Sequence, residues 1–338
     1  MKKYNVAVIG ATGAVGESML DILNEREFPI NNIYALASER SEGKKVMLGN
    51  KPLTVKDLAK FDFNLADIGL FSAGGDTSAK YAPIAGESNC VVIDNTSYFR
   101  YDDDIPLIIP EVNSCKIKEY KNRNIIANPN CSTIQMLVAL KPIYDAVGIK
   151  RITVSTYQAV SGSGMAAVNE LAKQTAELLN GRDAVCEVYP RQIAFNALPH
   201  IDKFLDNGYT KEEMKMCWET RKIFGDESIG ISATCVRIPV FFGHSEAIQL
   251  ETSAYISEDE VRDLLEQADG VEVIDERRDG GYPTAVHESA GNDSVFVGRI
   301  RQDISLENGL NLWVVSDNVR KGAALNSVQI AEELIKII

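Results

Sequence analysis

Six cysteines are scattered through the chain, and one of them, Cys131, stands where a thiol can do chemistry. It lies in Asn128-Pro129-Asn130-Cys131-Ser132-Thr133, and the residues that follow, Ile134, Leu137, Val138 and Leu140, recur as one apolar helical face. That pattern places Cys131 at or beside a helix N-terminus. The positive end of the helix dipole and the unpaired backbone N–H groups there stabilise a thiolate, the form that attacks a carbonyl carbon. The same donors suit the oxyanion of a tetrahedral intermediate. Most lone cysteines are small buried hydrophobes, and Cys90, Cys115, Cys186, Cys217 and Cys235 are read that way. With no CxxC pair and three histidines, neither a zinc cage nor a disulfide framework is indicated, no metal is expected, and reduced thiols point to a cytoplasmic protein.

A second chemical signature is Gly10-Ala11-Thr12-Gly13-Ala14-Val15-Gly16, with its glycines three apart rather than in the usual GxGxxG order. It follows the apolar run Val6–Ile9 and opens a helical pattern of Val15, Met19, Ile22 and Leu23 that breaks at Phe28-Pro29. A glycine turn between any strand and helix is the plain alternative, but this context suits a dinucleotide whose pyrophosphate rests on the helix N-terminus. Gly10, Thr12, Gly13, Ala14 and Val15 are the expected contacts. The next apolar run ends in Ser38-Glu39-Arg40-Ser41, about 20 residues on, where NAD enzymes carry an acid and NADP enzymes often an arginine. Ser38, Arg40 and Ser41 suit a 2′-phosphate, whereas Glu39 turned inward would favour NAD. NADP is the expected cofactor.

The elements that must position these residues follow from periodicity. Val6–Ile9, Ile33–Ala37, Ile68–Phe71, Val91–Ile93 and Ile125–Ile126 read as buried parallel strands alternating with helices. From Ile149 the pattern changes: Ile152, Val154, Thr156 and Gln158 alternate with polar or small residues, and longer strand-like runs follow at Cys235–Phe242 and Ala247–Ile256. A last helix over Val319–Ile338 has the length to return to the first domain. The expected fold is α/β: a Rossmann-type doubly wound parallel sheet in 1–130 plus 318–338, and an α+β catalytic domain with a largely antiparallel sheet in 131–317.

Composition narrows the function. The 338 residues carry 35 basic and 48 acidic side chains, a net charge of -13 with the signs interleaved, so the field opposes nucleic acid and anionic membranes. No apolar run approaches the roughly 18 residues that would span a bilayer. Lys2-Lys3 and the short run after it read as the start of a mature first strand rather than a signal peptide.

Taken together, ANPNCST, GATGAVG, Tyr157-Gln158-Ala159-Val160-Ser161-Gly162-Ser163-Gly164 and Ser316-Asp317-Asn318-Val319-Arg320-Lys321-Gly322 resemble the aspartate-semialdehyde dehydrogenases, from the first strand to the last helix. The resemblance implies NADPH-dependent reductive dephosphorylation of 4-phospho-L-aspartate to L-aspartate 4-semialdehyde and inorganic phosphate, feeding lysine, methionine and threonine biosynthesis. It implies that Cys131 forms an acyl-thioester, that His244 is the general acid/base and that Gln158 orients the substrate carbonyl. By the same resemblance Arg237 binds the substrate carboxylate, Glu212 its ammonium, and Lys215 and Arg100 the phosphate, with Asn130 also among the substrate- and phosphate-binding residues. Ser161, Gly162 and Asn318 would touch the cofactor, Asn318 also tying the last helix to the first domain. The second domain would carry dimerisation, and the short stretches between motifs look like the homodimeric members.

Without the resemblance, several of these positions read more plainly. Arg237 would be a surface charge, Gln158 a polar strand end, and Glu212 and Lys215 part of a solvated amphipathic face that continues through Glu219 and Lys222, opposite Met214, Cys217 and Trp218. A spacing of seven would put Arg237 and His244 on opposite faces of one strand unless Gly243 supplies a bulge. Two other functions compete: N-acetyl-gamma-glutamyl-phosphate reductase, which shares the architecture, and a non-catalytic NADP-binding homologue.

Overall fold

The computed structural model describes residues 2–338. They form two compact units: one runs to Asn130 and resumes at Ala323, and the other spans Cys131–Gly322. The return to the first unit therefore falls five residues beyond the expected boundary at 318.

In the first unit the strands are β1 (Tyr4–Ile9), β2 (Ile30–Ala37), β3 (Lys45–Leu48), β4 (Lys51–Thr54), β5 (Lys56–Asp57), β6 (Ile68–Phe71), β7 (Val91–Asp94) and β8 (Ile125–Ala127). The helices between them are α1 (Ala14–Glu25), α2 (Gly75–Glu87) and the single turn α3 (Pro110–Asn113). Six strands pair in the order β5-β2-β1-β6-β7-β8, all parallel, while β3 and β4 form a separate hairpin. The sheet is buried on both faces, so β6 and β7 are buried at every residue, which is why they are apolar without alternation. Strand order reverses between β1 and β6, the switch point at which such sheets bind ligands.

The glycine loop leaves β1 at this point, and its spacing has a steric cause. Gly10 has φ +86°, and a Cβ there would lie 2.9 Å from the Ser72 backbone; a Cβ on Gly16 would lie 2.2 Å from the Gly10 carbonyl oxygen. One glycine lets the chain turn against the neighbouring strand and the other lets α1 close onto the loop. The C-terminal helix, Leu325–Leu334, is shorter than expected because Arg320–Ala324 winds as a wider π-turn before it. It runs on directly from that turn through Ala324, whose backbone is helical. Leu325, Val328, Ile330, Ala331 and Leu334 are buried in the core of the first unit, and at about 1.5–3 kcal/mol for each large apolar side chain this packing holds the helix in place.

The second unit contains α4 (Cys131–Val147), β9 (Ile149–Gln158), α5 (Met165–Leu179), α6 (Lys211–Phe224), β10 (Gly230–Arg237), β11 (His244–Thr252), α7 (Glu258–Glu266), β12 (Val271–Val273), β13 (Val295–Gln302) and β14 (Gly309–Ser316). Its sheet has the order β10-β9-β11-β14-β13-β12. The three central pairings are antiparallel and the two at the edges parallel, so the sheet is mixed and largely antiparallel, as expected. Ile152, Val154, Thr156 and Gln158 of β9 and His244, Glu246, Ile248 and Leu250 of β11 are buried on one face, against which α4 packs, while α6 packs on β10 and α7 on β12 and β13. The opposite face is half-buried, which accounts for the alternation. The run Cys235–Phe242 divides: β10 ends at Arg237 and the rest is a connection.

Gly16→Ala should destabilise the protein by about 1–3 kcal/mol through overpacking and weaken nucleotide binding. Denaturant midpoints and cofactor titration check both.

Candidate active site

The polar groups of the second unit gather at the ends of β10, β9 and β11. Arg237 of β10 is in register with Gln158 of β9, and the pairing of Ser245 with Tyr157 carries His244 to the same level on β11. Arg237 and His244 thus sit on two strands flanking Gln158, not on one bulged strand. Gly243 has φ +88° and ends the connection between them, where a Cβ would lie 2.7 Å from the Ala285 carbonyl oxygen. The connection crosses the end of β9, and its Val240 and Phe241 carbonyls accept the N–H groups of Val160 and Ser161 at 2.9 and 3.2 Å.

His244 is fully buried. Its Nδ1 accepts the Ala159 N–H at 3.1 Å, so the neutral ring carries its proton on Nε2, which has no hydrogen-bond partner among the described residues. Burial first, and the Arg237 charge second, hold the imidazole down at about 3, with Glu212 acting the other way. Arg237 is also buried and donates from Nη1 to the Ala159 carbonyl at 2.6 Å. The two converge over Gly162, where a Cβ would stand 2.9 Å from Arg237 Nη1 and 3.4 Å from His244 Nε2.

Gln158 connects this row to the helices. Its Nε2 donates to Ser132 Oγ at 2.9 Å, next in the chain to Cys131, and to Glu212 Oε1 at 3.2 Å. Lys215 donates to Glu212 Oε2 at 3.0 Å and to Asp202 Oδ2 at 2.7 Å. Burial alone would lower the Lys215 ammonium, but the two carboxylates outweigh it and raise it to about 12. The acidic side of α6 is not the solvated face read from composition: Glu212, Glu213 and Glu219 are buried, while Trp218 is exposed.

Cys131 is the first residue of α4 and is partly exposed, with Ser132 through Leu140 buried behind it. Gly322 packs against it so closely that a Cβ there would lie 2.7 Å from Cys131 Cβ. Asn318 donates from Nδ2 to Ser161 Oγ at 3.0 Å and accepts the Gly243 N–H at 3.0 Å. These bonds join the loops after β9 and β10 within the second unit, where a link from the last helix to the first domain was expected.

In the first unit a cleft of about 530 Å³ opens at the switch point, lined by Gly10, Thr12, Gly13, Ser38, Glu39 and Ser72 among others. Ala14 and Val15 begin α1 beside it, where first-turn N–H groups lack intrahelical partners and suit an anion. The close approaches at Gly10 and Gly16 leave this backbone bare, so the residues present fit a dinucleotide. Arg40 and Ser41 follow on the turn Glu39–Ser41, outside the cleft lining, whereas Glu39 is part of it. Arg100 is buried and donates from Nη2 to the Asn95 carbonyl at 3.0 Å. Burial pushes the neighbouring Asp94 carboxyl up, against Ser78, Thr96 and Arg100. Asn130 is buried at the end of a segment whose Asn128 bonds Asn95 and Asn326, both at 2.7 Å.

Comparison with known proteins agrees with both units. Residues 5–120 match the family model described as semialdehyde dehydrogenase, NAD binding domain, and residues 140–321 that of the semialdehyde dehydrogenase dimerisation domain. Aspartate-semialdehyde dehydrogenase 2 of Vibrio cholerae serotype O1 is 61% identical over 335 residues, 99% of this chain and 98% of that protein. The chain belongs to the aspartate-semialdehyde dehydrogenase family. Among solved structures, aspartate semialdehyde dehydrogenase II of Vibrio cholerae complexed with ASA superposes with a TM-score of 0.98 at 60% identity, covering 100% of this chain and 99% of that one. The aspartate semialdehyde dehydrogenase of Candida albicans with NADP has a TM-score of 0.76 at 25% identity and covers 99% of each chain.

Relative to the family motifs read from the sequence, the structure adds Ser132, Glu213 and Gly322 to the site, and Asp202 as a second partner of Lys215. Ser132 and Gly322 lie inside quoted motifs. Asp202 carries no signal of its own in one dimension.

The His244 ring sets a pH test. Its folded value, about 3, lies below its ordinary 6.5, so the unfolded chain takes up this proton first. Its contribution to stability is complete above about 6.5 and is lost as pH falls from there toward 3. His244→Asn, whose amide oxygen can still accept from Ala159, should show a shallower acid decline in denaturant midpoint than the unsubstituted chain. Equal slopes would mean the ring is not held neutral.

Proposed function

We propose that this chain catalyses NADPH-dependent reductive dephosphorylation of 4-phospho-L-aspartate to L-aspartate 4-semialdehyde. The observation that carries the reading is the buried row Arg237, Gln158 and His244, bonded through Gln158 to the residue after Cys131. The Cys131 thiolate attacks the acyl carbon, a C–S bond forms, and the C–O bond to phosphate breaks with its electron pair leaving on phosphate. NADPH, when bound, supplies the hydride that reduces the thioester carbonyl. Collapse of the thiohemiacetal releases the aldehyde and restores the thiolate. Dividing acyl transfer from reduction makes each step tractable.

The roles of the other residues are those the family motifs imply, supported at several positions by the environment of the side chain. His244 presents Nε2–H as a donor, suited to the oxyanion at each tetrahedral stage, because Nδ1 is occupied by Ala159. Arg237, buried with a forked guanidinium, suits the substrate carboxylate. Glu212 takes the substrate ammonium and Gln158 the reacting carbonyl. By the family motifs, Lys215 and Arg100 are each assigned to the phosphate. Gly10, Thr12, Gly13, Ala14 and Val15 hold the pyrophosphate, and Ser38, Arg40 and Ser41 the 2′-phosphate. Ser161 and Gly162 serve the nicotinamide end, and Asn318 holds Ser161 in place. The half-buried sheet face around Tyr157 and Trp313, whose rings lie 5.6 Å apart, suits a second copy of the chain in a homodimer.

Purified protein given L-aspartate 4-semialdehyde, phosphate and NADP should reduce NADP in a phosphate-dependent way, and NAD more slowly. Cys131→Ala should abolish turnover, and Arg237→Ala should raise KM and lower kcat, since a buried clamp both binds and orients. A preference for N-acetyl-gamma-glutamyl phosphate would move the assignment to the sister reductase. Tight NADPH binding with no turnover would indicate the non-catalytic homologue.

A further inference from the structure

Glu213 lies next to Glu212 on α6, yet it points to a different task. Helix α6 opens with a capping box, in which the Glu213 N–H donates to Thr210 Oγ1 at 3.3 Å and Glu213 Oε2 accepts the Thr210 N–H at 2.7 Å. An ordinary box is complete at that point. Here the second oxygen, Oε1, accepts the Cys235 N–H at 3.0 Å, from a residue 22 positions on. Strand β10 is the outermost strand of its sheet. Its edge is closed at Arg237 by paired backbone bonds with Leu198 and at Cys235 by Glu213.

We propose that Glu213 is a positioning residue that sets Glu212 and Lys215 of α6 against Arg237 of β10. The inference rests on the assignment of those three side chains to the substrate. Glu213 lies one residue after Glu212 and two before Lys215, and Cys235 lies two before Arg237 on the same side of β10, so the brace acts at the level of the site. Both its partners are N–H donors, and only a carboxylate offers an acceptor oxygen to each. A glutamine has one such oxygen, and its NH2 would face a second donor. Since Glu212 also accepts from Gln158, a shift of α6 along β10 would disturb the ammonium, carboxylate and phosphate contacts together.

The test compares Glu213→Gln with Glu260→Gln in the full-length protein. Glu260 forms a similar capping box with Ser257 at the start of α7, on an exposed stretch where its carboxylate accepts from Ser257 and from no strand among the described residues. Both substitutions damage a helix cap, and Glu213→Gln, which also leaves the Cys235 N–H without its acceptor, should cost the more stability. Only Glu213→Gln should raise KM for aspartate semialdehyde and phosphate, by about tenfold or more, with kcat falling less. Glu213→Asp, which keeps two acceptors on a shorter arm, gives the same comparison if the glutamine variant does not fold. Lys215→Ala is measured alongside. If Lys215→Ala raises KM for phosphate while Glu213→Gln leaves both KM values unchanged, the brace is refuted and the site assignment stands. If Lys215→Ala is itself silent, the site assignment fails and takes the brace with it. Equal KM effects of Glu213→Gln and Glu260→Gln would show only general destabilisation and would refute the brace as well.

Discussion

The amide nitrogen of Gln158, buried and shared between Ser132 and Glu212, is the point on which the second unit's site depends. A buried amide left without acceptors would cost about 1–3 kcal/mol, so the start of α4, the start of α6 and the end of β9 must meet within hydrogen-bonding distance. That condition places the helix carrying Cys131 and the helix carrying Lys215 before any substrate contact is considered. Arg237 and His244 then follow from register, because each lies on a strand paired directly with β9.

Behind this row the same sheet face stays polar to an unusual depth. Thr156, Glu246 and Cys235 are buried one step further along β9, β11 and β10. Burial drives the Glu246 carboxyl well above the ordinary range, with Gln135 of α4 acting the other way. Burial thus resists a negative charge on Glu246 beneath the site, while Arg237 and Glu212 act on His244 from the row itself.

What could be read from the sequence divides along physical lines. Strands β1, β2, β6, β7 and β8 of the first sheet are legible because segments buried on both faces must be apolar throughout, whereas β5, two residues long and written Lys56-Asp57, has no period to detect. The glycine spacing is legible as a loop, but not the reason for it, since the contacts of Gly10 and Gly16 are made by distant backbone. Arg237 and His244 are misjudged as one strand because Ile238–Phe242 is as apolar as the strand before it, and only three dimensions reveal a crossing. The acidic stretch of α6 is misjudged for the opposite reason. Buried carboxylates that accept N–H bonds have the same composition as solvated ones, so Glu212 and Glu213 look alike in sequence while one contacts Gln158 and Lys215 and the other contacts Cys235.

The second unit begins at Cys131 and ends at Gly322, and these two residues are packed against each other. The segment therefore leaves and rejoins the rest of the chain at neighbouring points, the arrangement that makes a domain tolerant of insertion and permutation. A permuted gene that joins the two ends and opens new termini in a surface loop would preserve the unit's topology. The bridging peptide, however, would be spliced onto the nucleophile itself. The junction most convenient for rearranging this protein's modules is also the one that its chemistry can least accommodate.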